Sequence, residues 1–292
     1  EMKLLTEMSP VKIGSTQISV FPGVADEDTE EMINGLRGLD LAVHLILMVG
    51  GADPMNPADE DKVVEMLKSG LEVAKKYNIK EVASTSIEEW MQPGASPKTG
   101  ADYDAAIAQN VKLHIRALNE TNAIEAGIRH WHIEFLRGGE FQTFTNVAKC
   151  WDFIKAINAE MGSKFFKVVV DAAHCGDSDL SIPENEQKIA EIAASDEFSM
   201  FHASAKTTRG CLSTDDGWIG ALLAAAAKTG KLETVFVELF HHNDEALEAL
   251  RNLEPGHGVD TTDGRSYNEV VADGLGDTAH RLNNLVARGF LS

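Results

Sequence analysis

Short runs of β-branched and aromatic residues alternate along this chain with longer stretches in which apolar residues recur every three or four positions. The first pattern suits strands buried on both faces, and the second suits helices that pack one apolar stripe. Strands are predicted over residues 11–20, 41–49, 81–86, 130–135, 165–171, 198–204 and 234–239. Helices are predicted over residues 59–77, 103–123, 143–161, 183–194, 217–229, 244–253 and 267–288. In the first helix Val63, Val64, Leu67, Leu71 and Ala74 form the stripe. Strands that alternate with helices specify parallel pairing through crossover helices, and therefore an α/β protein. The spacing is even and no Pro/Ser-rich linker interrupts it, so residues 1–292 are expected to form a single (β/α) barrel domain. Only seven strands can be read, against the eight of a complete (β/α)8 barrel. Either the residues before Val11 hold the remains of a first strand, or the barrel is irregular and incomplete at its N-terminus.

Two segments that follow predicted strands read as long loops: residues 50–57 (GGADPMNP) and residues 91–100, rich in Pro, Gly, Ser and Lys. On a barrel both would stand at the face where active sites sit, although ordinary exposed turns fit the second equally well.

Composition narrows the function. The chain carries 26 Lys and Arg against 46 Asp and Glu, a net charge of −20. That charge repels phosphate backbones and anionic lipid and concentrates cations, so neither a nucleic-acid nor a membrane partner is expected. The longest apolar stretch, residues 41–49, contains His44 and falls short of the ~20 residues of a membrane span. Cys150, Cys175 and Cys211 are an odd count without paired spacing, which fits a reducing compartment. No secretory signal is visible after Glu1 and Met2, and a cytoplasmic location is the expectation.

The strongest chemical signal is a recurrence. Four late strands end in a residue that can bind a metal: Glu134 after HWHI, Asp171 after FKVVV, His202 after SMF and Glu238 after TVFV. Burying a charge at the end of an apolar strand is costly unless the charge is paired or ligating, and barrel strands gather these ends around one mouth. Each residue alone is equally well explained as a cap or an ion-pair partner; four in succession point to a shared site. Three carboxylates and one imidazole suit one divalent ion, Mn²⁺, Mg²⁺ or Co²⁺, with Zn²⁺ also accommodated.

This order resembles the xylose-isomerase-like TIM barrel superfamily, and within it the ketose 3-epimerases and related sugar isomerases. The resemblance runs from about Leu41 to the C-terminus and rests on Glu134, Asp171-Ala-Ala-His174, His202 and Glu238. It implies that Glu134, Asp171, His202 and Glu238 hold one metal ion, and that Glu134 and Glu238 double as the acid and base. It also implies a small carbohydrate substrate whose hydroxyls meet Glu140, the later member of Glu134-x5-Glu140, and His174, as well as assembly into homo-oligomers. Arg209 would clamp substrate oxygens, although one more residue precedes it here than in the family's pattern. The implied reaction moves a proton beside a ketose carbonyl through a metal-stabilised enediolate. Return of the proton to the same carbon inverts it, and return to the neighbouring carbon isomerises the sugar. Asp215 and Asp216, ahead of Trp218-Ile219, read as structural N-caps of the next helix.

The same scaffold also carries inosose-type dehydratases and hydroxypyruvate-type isomerases. A zinc endonuclease acting on damaged DNA would need more histidines and a basic groove, which the net charge opposes. A non-catalytic sugar-binding barrel would be expected to lose one of the paired glutamates, and both are present. His130 and His132 share a strand face with Glu134 and read as interior or second-metal groups, with a satisfied interior role favoured. His44 reads as a packed residue. His241 and His242 lie just past Glu238, and the Gly-rich stretch 254–265 lacks the strand-to-helix context that a phosphate loop requires.

Overall fold

The computed structural model of the chain describes all residues except 24–25, 207–214, 244, 246–247, 254–262 and 292. Its elements run α1 (Met2–Met8), β1 (Ser15–Val20), α2 (Asp26–Gly38), β2 (Ala42–Leu47), α3 (Glu60–Lys76), β3 (Glu81–Ser84), α4 (Ala101–Thr121) and β4 (His130–Ile133). They continue with α5 (Val147–Met161), β5 (Phe166–Asp171), α6 (Ala172–Gly176), α7 (Ile182–Ala194), β6 (Phe198–Ala203), α8 (Trp218–Lys228), β7 (Thr234–Val237), α9 (Glu248–Leu253) and α10 (Tyr267–Ala287). Every predicted strand is present, trimmed at its ends. The strands lie in one sheet in chain order, and the pairings β1–β2, β2–β3, β3–β4, β4–β5 and β6–β7 are parallel. Among the described residues there is no eighth strand. The segment ahead of Val11 forms helix α1, so it does not hold the remains of a strand.

By its contacts the chain divides into two compact units, residues 15–169 and residues 1–14 with 170–292. In the first unit the predicted stripe of α3 is buried along its length, and Gly70 lies in the same face. A Cβ on Gly70 would sit 2.5 Å from Cδ2 of Leu47, so the glycine is what allows α3 to close on β2. Trp131 of β4 stacks on Phe166 at 5.3 Å between centroids, and Phe153 of α5 and His114 of α4 pack around Phe166. Full burial of side chains this size stabilises by roughly 1.5–3 kcal/mol each. Helix α5 begins at Val147, four residues later than predicted, because Asn146 caps it by accepting from the Lys149 amide at 2.9 Å.

In the second unit β5 and β6 are buried at every position. A separate apolar cluster joins Leu5 of α1 to Leu239 and to Val270, Val271 and Ala272 of α10. Two helices of this unit start with capping boxes, Ser181 with Glu184 and Ser266 with Glu269. Helices α2 and α6, like α1, lie where no helix was predicted. Among the described residues no helix is long and apolar enough to cross a membrane.

Candidate metal centre

Three of the four strand-end residues belong to the second unit, and there they converge. Asp171 closes β5 and is fully buried. Its Oδ1 accepts from the backbone N–H of His174 at 2.7 Å, which makes it the N-cap of α6 and fixes the carboxylate's orientation. Its Oδ2 faces Nδ1 of His202 at 3.9 Å. His202 lies near the end of β6, also buried, with its ring edge-on to Phe236 at 5.8 Å between centroids. Glu238 follows β7, and its backbone N–H donates to the Ala203 carbonyl at 3.1 Å, so the ladder continues one step and aims the side chain. Its Oε2 is 3.4 Å from the same His202 nitrogen, and its side chain is 28% exposed. It is therefore the member of the trio that solvent can reach.

Two carboxylates around an imidazole form a donor set for a divalent ion. Ligands held about 2.1 Å from one ion stand about 3–4 Å apart, and both measured separations fall in that range. The residues present therefore fit a metal of the oxygen- and nitrogen-preferring class. His174, on the first turn after Asp171, is buried. The N-cap position of α8 is Gly217 rather than Asp215 or Asp216, but the Asp215 carboxylate does accept from the Ile219 amide in the first turn at 3.0 Å, and Arg281 pairs with it at 3.3 Å. Asp216 instead pairs with Lys206 at 3.4 Å. His241 and His242 pack against each other at 4.5 Å between ring centroids. Arg209, Cys211 and most of the 254–265 stretch lie outside the described residues.

The first unit holds Glu134 and Glu140. Glu134 is buried just past β4, and its N–H donates to the Ser84 carbonyl at 3.0 Å. Burial and the charge of Glu134 push the neighbouring Cys150 thiol up, so this cysteine is inert rather than nucleophilic. Glu140 is buried, and both of its oxygens have protein partners: Oε2 accepts from Nε of Arg137 at 3.1 Å and Oε1 from the Trp90 indole at 3.2 Å. Its segment is held from below by Glu88, whose carboxylate takes backbone N–H bonds from Gln142, Thr143 and Phe144 at 2.8 to 3.1 Å. Burial raises the Glu88 carboxyl despite those bonds. Sequence reading missed Arg137, Trp90 and Glu88. Arg137 lies inside the quoted Glu134-x5-Glu140 stretch, three residues before its partner, and was the legible signal. The two loops also differ. Residues 50–57 bury Ala52, Asp53 and Met55, whereas residues 91–100 are mostly exposed.

His130 and His132 face a residue the sequence did not single out. Glu81, the first residue of β3, pairs in register with His130, the first of β4. Its Oε2 lies 3.1 Å from His130 Nδ1 and 3.0 Å from His132 Nε2, while Arg129 reaches its Oε1 at 2.8 Å. Burial pushes the Glu81 carboxyl up, but the hydrogen bonds from both imidazoles outweigh it and hold the group below the usual range. Burial also lowers His132. The pairing is therefore a carboxylate accepting from imidazole N–H groups. His130 Nδ1 and His132 Nε2 thus both face Glu81, whereas the buried Nδ1 of His132 has no hydrogen-bond partner among the described residues.

No protein-family model matches the chain, and no curated protein matches it by sequence. Solved structures do match in fold. D-allulose 3-epimerase from Methylomonas sp., in complex with D-allulose, superposes with a TM-score of 0.75 at 14% identity, over 95% of this chain and 89% of that one. The IolI protein with a bound zinc atom gives 0.67 at 13% identity over 97% and 94%. AP endonuclease, family 2, from Brucella melitensis gives 0.63 at 13% identity over 90% and 92%. These likenesses show the fold alone, that of a TIM barrel.

Proposed function

We propose that this chain, with the fold of the xylose-isomerase-like barrels, is a divalent-metal-dependent sugar epimerase or isomerase. The observation that carries the reading is the convergence of Asp171 and Glu238 on His202, at separations suited to ligands of one ion. The proposal includes Glu134 as the fourth ligand, on the recurrence of metal-binding residues at successive strand ends in the sequence. It also takes residues 1–292 as one barrel domain, supported by the single sheet in chain order.

A bound ion would supply Lewis acidity toward a substrate carbonyl and its neighbouring hydroxyl. The remaining work belongs to side chains. Glu238, the solvent-reachable carboxylate, takes the proton from the carbon beside the carbonyl, and Glu134 returns one from the other face. Asp171 is held by its cap and stays a fixed acceptor rather than a proton carrier. His174 orients a substrate hydroxyl. Glu140 is preorganised for the same task by Arg137 and Trp90, although a substrate hydroxyl would have to share its oxygens with them. A small carbohydrate is the proposed substrate, supported by the D-allulose complex of a structural neighbour. The DNA-directed alternative is opposed by the net charge of −20.

The test is proton/deuterium exchange into a panel of ketoses with the metal-loaded protein, alongside elemental analysis. Exchange at the carbon beside the carbonyl, lost in Glu238→Gln and in His202→Ala, supports the reading. A protein that binds no divalent ion even with added Mn²⁺ would overturn it.

A further inference from the structure

We propose that Glu81, His130 and His132 form a second divalent-metal site, selective for zinc-like ions, that clamps the first residues of β3 and β4. The three donors are placed by sheet geometry. His130 and His132 stand two apart on β4 and share a face, and Glu81 is opposite His130 in the parallel register. Their ligand atoms meet at one point: both imidazole nitrogens lie within 3.1 Å of the same Glu81 oxygen. Neighbouring ligands of a six-coordinate ion at about 2.1 Å are about 3 Å apart, so an ion can enter with little movement of strands already fixed by their ladder.

The chemistry permits the exchange. Each imidazole nitrogen that faces Glu81 is placed to donate its proton to that carboxylate. Shifting that proton to the ring's other nitrogen presents a lone pair at the same place, with no net gain or loss of protons. Two imidazoles and one carboxylate favour Zn²⁺ or Co²⁺ over Mg²⁺ or Ca²⁺, which prefer all-oxygen sites. Arg129 opposes the ion, but its side chain is 65% exposed, so its pairing with Glu81 is screened and easily released to water. The His130 side chain, 25% exposed, gives the route in. Entry displaces two hydrogen bonds, so this site fills after the strand-end site.

This inference does not depend on the proposed function, and the test separates the two. Metal-free full-length protein is titrated with Zn²⁺ by calorimetry, with folding of each variant checked by circular dichroism. Wild type is expected to show two binding events, His202→Ala to keep the weaker one, and His202→Ala combined with His130→Ala to show none. Glu81→Gln is the second variant, expected to weaken the same event beyond the about 10- to 100-fold that loss of an outer partner causes. Cadmium-113 NMR of the wild type supplies a readout that needs no variant to fold, with a second resonance that disappears in His130→Ala. If the His202→Ala protein binds no zinc, or binds it equally with and without His130 and Glu81, the inference fails. A single wild-type cadmium resonance that vanishes in His202→Ala would also overturn it. If wild type instead shows one event that His130→Ala abolishes, the second site stands and the strand-end centre does not.

Discussion

Two clusters in this chain use the same residue types in opposite ways. Where β3 and β4 begin, Glu81 has drawn two imidazoles into direct hydrogen bonds at 3.0 and 3.1 Å and an arginine into an ion pair at 2.8 Å. Where β5, β6 and β7 end, Asp171, His202 and Glu238 stand 3.4 and 3.9 Å apart, held off by a helix cap and a ladder bond rather than by one another. In the first arrangement an ion must compete with bonds already made. In the second, acidic groups are brought together in a spacing that suits a metal and costs stability without one. The contrast separates a cluster whose own bonds stabilise the fold, and which an ion fills only by breaking them, from one whose spacing suits an ion from the start.

The largest effect that could break this comparison is catalytic. Glu238→Gln is expected to lower deuterium exchange on the best ketose by about 10³-fold, within the range that a general base contributes. An exchange rate unchanged in the metal-loaded variant would remove Glu238 from the reaction.

Acid should act on the unit that holds the strand-start cluster through a buried imidazole. His114 is fully buried, and desolvation lowers its pKa from 6.5 to about 4, partly offset by its bond to the Asn110 carbonyl. The unfolded chain binds this proton more readily than the folded one. Its contribution is therefore complete above pH 6.5 and is lost as the pH falls toward 4, by up to about 3 kcal/mol. Denaturant unfolding as a function of pH should show this slope in wild type and a flatter one in His114→Gln. Equal slopes would mean that other groups carry the acid response.

Stability in the absence of metal sharpens the contrast further. Glu81→Gln removes the charge that two imidazoles and Arg129 bond to, and should destabilise by about 2 kcal/mol, the scale of hydrogen bonds to a charged group. Glu238→Gln under the same conditions should leave stability unchanged or raise it by up to about 1 kcal/mol, because it relieves like charges beside His202. Denaturation in the presence of a chelator measures both. Destabilisation of equal size would show that the strand-end trio is as structural as the strand-start one.

Much of this was legible in the sequence because strand period and helix period are encoded locally. The strand-end residues could be read because a charge closing a run such as FKVVV conflicts with burial and calls for a reason. Glu81 escaped because it opens its strand, where an acidic residue looks like ordinary solvent-facing punctuation. Only the register with His130 reveals its role. Helix α2 was passed over because its apolar stripe is thin, with Ile33 and Leu36 its only buried aliphatic residues among acidic neighbours. Two supports of the Glu140 segment were hidden for another reason. Trp90 and Glu88 lie some fifty residues earlier in the chain, and no local pattern links them to it.

The smallest expected effect separates the two tasks of Asp171. Its Oδ1 caps α6 and its Oδ2 faces His202. Asparagine keeps an oxygen for the cap but loses the charge a metal needs, whereas alanine loses both. Asp171→Asn and Asp171→Ala should therefore be equally poor in metal binding, while alanine alone is less stable by a further ~1 kcal/mol, the usual worth of an N-cap. Chelator-treated unfolding together with zinc titration of the two variants checks this. If asparagine is destabilised as much as alanine, the carboxylate's charge is holding the local structure. Asp171 would then belong with Glu81 as a residue that supports the fold, and the strand-end trio would lose the member that most clearly divides orientation from ligation.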